Sequence, residues 1–174
     1  MKIEKDFFNR DAEIVARDLL GKVLVRNLNG ELRKTKIVEV EAYYDKKDPA
    51  SRACKNGDLK ETMEEDAGTI LVYGVHNNWL INFVTNKKGK AEAVLLRALE
   101  PLNFLGNTKG PGLLCKVLKI DKSFHRKVIP NNDLWLEDNN DKFEVIARKR
   151  IGVKKDLPKK LRFYIKDNKY ISKK

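Results

Sequence analysis

The sequence predicts an α+β fold, a single compact domain over residues 1–174 with a curved, mostly antiparallel sheet flanked by short helices. Three observations point there. Asn29-Gly30 is a strong type I′ hairpin signal between two strand-like runs. Further short strand-like runs recur along the chain, separated by turn residues, and helical periodicity is confined to brief segments. The resulting order is mixed and hairpin-rich, which favours α+β over a doubly wound parallel sheet.

Asp11 is placed to cap a short helix running to Leu20, with Ala12, Val15 and Leu19 on one side and Gly21 as its C-terminal stop. Residues 23–28 and 32–41 read as the two arms of the first hairpin. In the second arm, alternation places Glu39 and Glu41 on one face with Ile37, opposite Val38 and Val40. Residues 44–66 are polar, contain Pro49 and Gly57, and read as a long loop with room for one short helix; loops of this length in compact domains are commonly functional. Residues 69–73 and 79–85 read as strands joined by a 74–78 loop. Residues 93–99 are apolar almost throughout, as in a central strand, and Pro101 ends the run. Gly110-Pro111-Gly112 opens a helix whose buried side is predicted to be Leu113, Leu114, Val117 and Leu118. Residues 134–136, 143–148 and 161–165 complete the strands.

Composition narrows the function. Of 174 residues, 41% are hydrophobic and 36% charged. The mean hydropathy is −0.55 and no stretch of eighteen apolar residues occurs, so no membrane-spanning helix is predicted. The net charge of +12 is uneven: residues 148–174 hold twelve basic and two acidic side chains, net +10, whereas the rest holds 25 and 23, net +2. A nearly neutral body with one basic end suits a polyanion partner, or else a lysine-rich solvated surface. Cys54 and Cys115 lack CxxC spacing and form no recognisable zinc pattern with His76 and His125, so no metal is expected. The charged N-terminus has no signal-peptide core, and a reduced cytoplasmic compartment is expected, nucleoid-associated in a prokaryote.

Several residues stand out chemically. Glu41 lies near the end of an apolar strand beside Tyr43 and Tyr44; it reads either as a surface carboxylate or as a half-desolvated proton acceptor. Arg97 interrupts VLLRALEP. It either snorkels from an edge or is buried against a carboxylate, with Glu41, Glu39 and Glu100 as candidates. Asn82, in LINFVT, must be hydrogen-bonded if buried, tying a turn or lining a pocket. Tyr43, Tyr44, Tyr73, His76 and Trp79 are core aromatics or stacking platforms.

Taken together and in order, these motifs resemble the alkyladenine (3-methyladenine) DNA glycosylase family, the type without a helix-hairpin-helix. The likeness runs from ARDLLGKVLVR (residues 16–26) through IVEVEAYY (37–44), DPASRA (48–53), GTILVY (68–73), LINFVT (80–85), AVLLRALEP (93–101), GPGLLCKVLKI (110–120) and ARKRIGV (147–153) to LRFYI (161–165). It implies an enzyme that flips a damaged purine (3-methyladenine, 7-methylguanine or a hypoxanthine-like base) out of duplex DNA and hydrolyses its N-glycosidic bond. By similarity Glu41 is the general base that activates water, Arg97 helps hold that water and Glu41, and the Ile151 backbone is a further water contact. Tyr43 and Tyr73 are implied to sandwich the base, and Asn82 to reject guanine by clashing with its exocyclic amine. The resemblance also implies a monofunctional enzyme without lyase activity or cofactor, acting on damaged double-stranded DNA; a monomer is expected.

Two departures are visible. The histidine usual in the loop after the base-stacking tyrosine is Arg52 here, whose permanent charge can repel a cationic base or reach a phosphate. The YGVHNNW hairpin is shortened, and the Gly68-to-Tyr73 spacing favours Tyr73 as the stacking residue, leaving Val75, His76 or Asn77 as the wedge that fills the gap in the duplex. The basic end, with Arg148, Lys149, Arg150, Lys154 and Lys155 foremost and Lys159, Lys160 and Arg162 beyond, is expected to contact phosphates. The rival readings are a damage-binding protein without hydrolysis and a basic RNA-binding module. Glu41 together with Arg97 argues against the first, and the want of an RNP or KH motif against the second.

Overall fold

Strands β1 (Val23–Leu28) and β2 (Glu31–Tyr43) meet at Asn29 and Gly30, whose φ angles of 54° and 99° are the paired positive values of a type I′ turn. In the computed structural model, which describes residues 1–174, this hairpin is the start of one eight-stranded, wholly antiparallel sheet. The other strands are β3 (Ile70–Val75), β4 (Asn78–Val84), β5 (Ala93–Pro101), β6 (Leu134–Glu137), β7 (Val145–Arg148) and β8 (Arg162–Ile165). Their order is β3-β4-β5-β2-β1-β6, with β8 pairing Glu39–Glu41 of β2 and β7 pairing β8. Helices α1 (Ala12–Leu19), α2 (Asp58–Met63) and α3 (Pro111–Val117) are short, and none is long and apolar enough to cross a membrane. The architecture is the predicted α+β one: a curled antiparallel sheet with few helices.

Strand β2 is the spine. Its first half pairs β1 on one edge, its second half pairs β8 there, and β5 follows its other edge from Thr35 to Tyr43. The register with β5 slips twice, so that Val38 on β2 and Arg97 on β5 each oppose no partner residue. Such bulges bend a sheet and re-aim side chains. The slip at Val38 also corrects the predicted alternation: Ile37, Val38, Val40 and Ala42 all join the main core, while Glu39 and Glu41 lie outside it.

That core fills one face of the sheet. Val40, Ile81, Phe83, Val94, Leu96 and Phe163 meet Val15 and Leu19 of α1 and Leu114 of α3 there. On α3 the buried side is Leu114, Cys115 and Leu118, and the predicted Leu113 is exposed. The opposite face carries the cross-strand row Leu71, Asn82, Leu95, Glu41, Arg162 and Arg148. Part of it is roofed by the 44–66 segment, whose 3₁₀ turn (Arg52–Cys54) and α2 pack Ala53 and Met63 against Leu71, Val84 and Ala93. The segment predicted as a long loop therefore forms two short helical turns and a second, smaller core.

Two turns depart from the predicted form. The β3–β4 connection is only His76-Asn77, both at positive φ, so the strands run farther into the hairpin than predicted. Gly21 follows the helix C-cap Leu20 at positive φ, as predicted for a helix stop, but does so in the third position of a type II turn. Leu20 has φ −58° and ψ 135°, Gly21 has φ +81°, and the Lys22 N–H donates to the Leu19 carbonyl at 3.1 Å. A Cβ on Gly21 would also lie 2.4 Å from the Phe143 ring. Gly21→Ala is accordingly expected to cost about 1–3 kcal/mol of stability, read as a lower urea midpoint at unchanged slope.

Candidate active site

The Glu41 carboxylate is fully buried, yet it sits just behind the wall of an open cleft of about 650 Å³ lined by Tyr43, Tyr73, Leu95, Arg97 and Ile151 among others. Position follows from register. Glu41 and Tyr43 are two apart on β2 and share a face, so the Tyr43 hydroxyl donates to Glu41 Oε1 at 2.9 Å. Arg97, turned by its bulge, brings Nη1 to the same oxygen at 3.4 Å. The Ile151 N–H donates to Oε2 at 2.7 Å. Burial pushes the Glu41 pKa above its ordinary value and the neighbouring Glu39 adds to this, while Arg97, the Ile151 N–H and the Tyr43 hydroxyl pull against them; the net direction is up.

Behind this pair lies a second buried carboxylate. Glu39 receives Arg162 Nη1 at 2.9 Å and the Ser172 N–H at 3.0 Å, together with the Ser172 hydroxyl. Arg97 Nε is 3.9 Å from Glu39 Oε1 and makes no hydrogen bond within the protein. With Arg162 and Ser172 occupying Glu39, Arg97 is left to Glu41.

Tyr43 is held from its other side. The Arg150 guanidinium lies 4.6 Å from its ring centroid and forks onto Asp48, at 2.6 and 2.7 Å, and onto Asp156 at 2.6 Å. Both the Arg150 and Asp48 side chains are fully buried. Burial tends to raise the Asp48 pKa, but the Arg150 fork and the N–H groups of Tyr44 and Ala50 outweigh it and hold the carboxyl below its ordinary value. Tyr43 itself titrates well above the usual range, through burial and the adjacent Glu41.

The structure therefore brings Glu41, Arg97, Tyr43 and Ile151 together at one cleft. Tyr73 and Arg52 face the same cleft, with the Arg52 guanidinium 4.6 Å from the Tyr73 ring centroid. Asn82 is buried beside it, next to Leu95 in register, and donates to the Leu71 carbonyl at 3.3 Å. Val75 and His76 line the hairpin wall, and Asn77 is exposed at the tip. Lys154 and Lys155 stand at the rim. Arg148 is exposed, as is Lys149, whose Nζ is engaged by the Leu157 and Pro158 carbonyls. Two expected surface contacts are corrected. Arg150 is locked inside its aspartate fork and Arg162 is buried on Glu39, because each has a carboxylate far away in sequence that a basic run does not reveal.

Sequence reasoning missed Asp48 and His125. Asp48 is the acid within the DPASRA motif, and that position was the available signal. His125 accepts the Val72 N–H on Nδ1 at 3.0 Å and meets Asp58 through Nε2 at 2.8 Å, so it ties α2 to β3; no spacing signal marks it.

The sequence model of the methylpurine-DNA glycosylase family matches residues 6–169. Relatives named as 3-methyladenine DNA glycosylases align along nearly the whole chain. One from Legionella pneumophila (strain Corby) is 42% identical over 99% of this chain and 98% of its own. One from Clostridium perfringens (strain SM101) is 37% identical over the full length of both. One from Aeropyrum pernix is 38% identical over 98% of this chain and 93% of its own.

Proposed function

The chain belongs to the methylpurine-DNA glycosylase family, a DNA-repair family, and on that premise we propose that it hydrolyses the N-glycosidic bond of damaged purines flipped out of duplex DNA, with Glu41 as the general base. The observation that supports this most is the Glu41 carboxylate itself, withdrawn from solvent and raised in pKa, yet held by Tyr43, Arg97 and Ile151 at the edge of an aromatic-lined cleft.

Each part has a role in the reaction. A purine entering the cleft stacks against Tyr43 and Tyr73; aromatic faces accept many bases, at about 1–3 kcal/mol per stack. As the bond from C1′ to the base lengthens, positive charge develops on the sugar, and the Glu41 carboxylate stabilises it. Water attacks C1′ from the face opposite the base. Glu41 takes one proton of that water and the bonding pair leaves with the base. Arg97 fixes the carboxylate and the water, and no lysine is required for a covalent intermediate. The exposed Arg148 and the rim residues Lys154 and Lys155 supply phosphate contacts, and the Val75–Asn77 hairpin supplies the wedge.

Duplexes carrying hypoxanthine or 3-methyladenine test the reading. Abasic sites are expected, with strand breaks appearing only after alkali. Damage-specific binding without abasic sites would favour a binding protein, and equal affinity for undamaged duplex would overturn both DNA-damage readings.

Asn82 carries the selectivity. Its amide, fixed by the Leu71 carbonyl, would on this reading clash with the 2-amino group of guanine. Asn82→Ser is expected to release guanine from undamaged DNA at a rate about tenfold or more above wild type. Unchanged rejection of guanine would contradict the clash.

A further inference from the structure

Arg52 is the residue of the cleft whose chemistry the proposed reaction does not yet use. It sits at the first position of a 3₁₀ turn capped by the Ser51 hydroxyl, which accepts the Ala53 N–H at 3.1 Å; Ser51 and Ala53 are both buried. The backbone at this position is thus anchored while the side chain remains exposed. Its guanidinium has no carboxylate partner and rests on the Tyr73 ring, an exposed cation–π contact that is weak and readily exchanged. Other cations of the cleft lining are Arg97, Lys154 and Lys155, and no acidic side chain lines it.

Such a lining does not treat all purines alike. The nucleosides of 3-methyladenine and 7-methylguanine carry a positive charge, which an uncompensated guanidinium opposes. A deaminated purine is neutral and presents two acceptors side by side, N7 and O6, the pair that an arginine fork matches. Bond breaking widens the difference. A cationic base departs neutral and gains nothing from Arg52. A neutral base departs with the C1′–N9 electron pair as an anion, whose charge spreads onto N7 and O6 before solvent returns a proton. A guanidinium at that edge stabilises the anion as it forms.

Resting on the glycosylase reading above, we propose that Arg52 sets the substrate class of this enzyme: it turns the site towards neutral, deaminated purines with acceptors at N7 and O6 and no 2-amino group, of which hypoxanthine is the simplest, and away from cationic alkylated purines.

The experiment compares single-turnover excision of hypoxanthine and of 7-methylguanine from the same duplex by wild type, Arg52→His and Arg52→Lys. Arg52→His is expected to slow hypoxanthine release about tenfold or more and to leave or raise the 7-methylguanine rate, so the ratio of the two rates moves about tenfold or more. Arg52→Lys keeps the charge and loses the fork, so hypoxanthine release falls while 7-methylguanine remains disfavoured. A rate ratio within about threefold of wild type in Arg52→His, or wild-type hypoxanthine release by Arg52→Lys, overturns the proposal. Absence of abasic sites from both lesions with the wild-type protein overturns instead the glycosylase reading on which it rests.

Discussion

Replacing Glu41 with glutamine is expected to leave binding to a lesion-containing duplex nearly unchanged and to slow single-turnover excision by about three orders of magnitude or more, because a proton acceptor and the stabiliser of the sugar cation are removed together. The amide preserves shape, and it still offers an oxygen to the Tyr43 hydroxyl or the Ile151 N–H. Its loss is therefore one of chemistry more than of fit. A rate within tenfold of wild type, on the order of 1.4 kcal/mol, would remove Glu41 from the role of base. On the proposed mechanism the same carboxylate is expected to set the acid limb of activity. Its folded-state pKa lies above the ordinary 4.5, so activity is lost as pH falls through a value above 4.5. Arg97 is the first of the groups that oppose this rise, so Arg97→Gln moves the acid limb to still higher pH. An acid limb that stays in place in that variant would separate Arg97 from the ionisation of Glu41.

The second large effect concerns stability. Arg150→Met leaves the buried Asp48 without its cationic partner, and breaking a buried pair from one side costs about 3–5 kcal/mol. Urea unfolding at neutral pH reads this directly. The folded-state pKa of Asp48 lies below its ordinary 3.8, so the stability it contributes is complete above that value and is lost as pH falls through the lower folded-state value. The gap between wild type and variant is accordingly widest near neutrality and closes in acid. If Arg150 instead served a DNA phosphate, the variant would unfold like wild type and its binding would show a salt slope shallower by about one.

The contrast between Glu41 and Arg150 shows what can be read from a sequence here. Glu41 and Arg97 were legible because each interrupts a strand whose other residues are apolar, and a charge in such a setting needs a partner. The hairpin at Asn29-Gly30 and most strand positions were legible because turn chemistry and apolar runs are local signals. Arg150 stands in an RKR run, where no local feature tells the buried member from the exposed ones; the fully buried aspartate it pairs with, Asp48, is 102 positions away. The bulges at Val38 and Arg97 were equally hidden, since they are properties of a strand pair and not of either strand. Leu113 is exposed against the sequence expectation because α3, seven residues long, gives too short a period to fix a face.

The distance along the chain between the parts of the site has a kinetic consequence. Glu39 and Arg162 are 123 positions apart and Glu41 and Ile151 are 110 apart, yet each pair is joined by a direct hydrogen bond. Contacts between such remote residues close late and slowly during folding, because a large loop must first be drawn shut. A partly folded chain that has built only its early hairpins therefore lacks the assembled setting of the proposed base. During refolding, catalysis should return in step with the last phase and not with the bulk of the secondary structure, which makes excision itself a reporter of native closure.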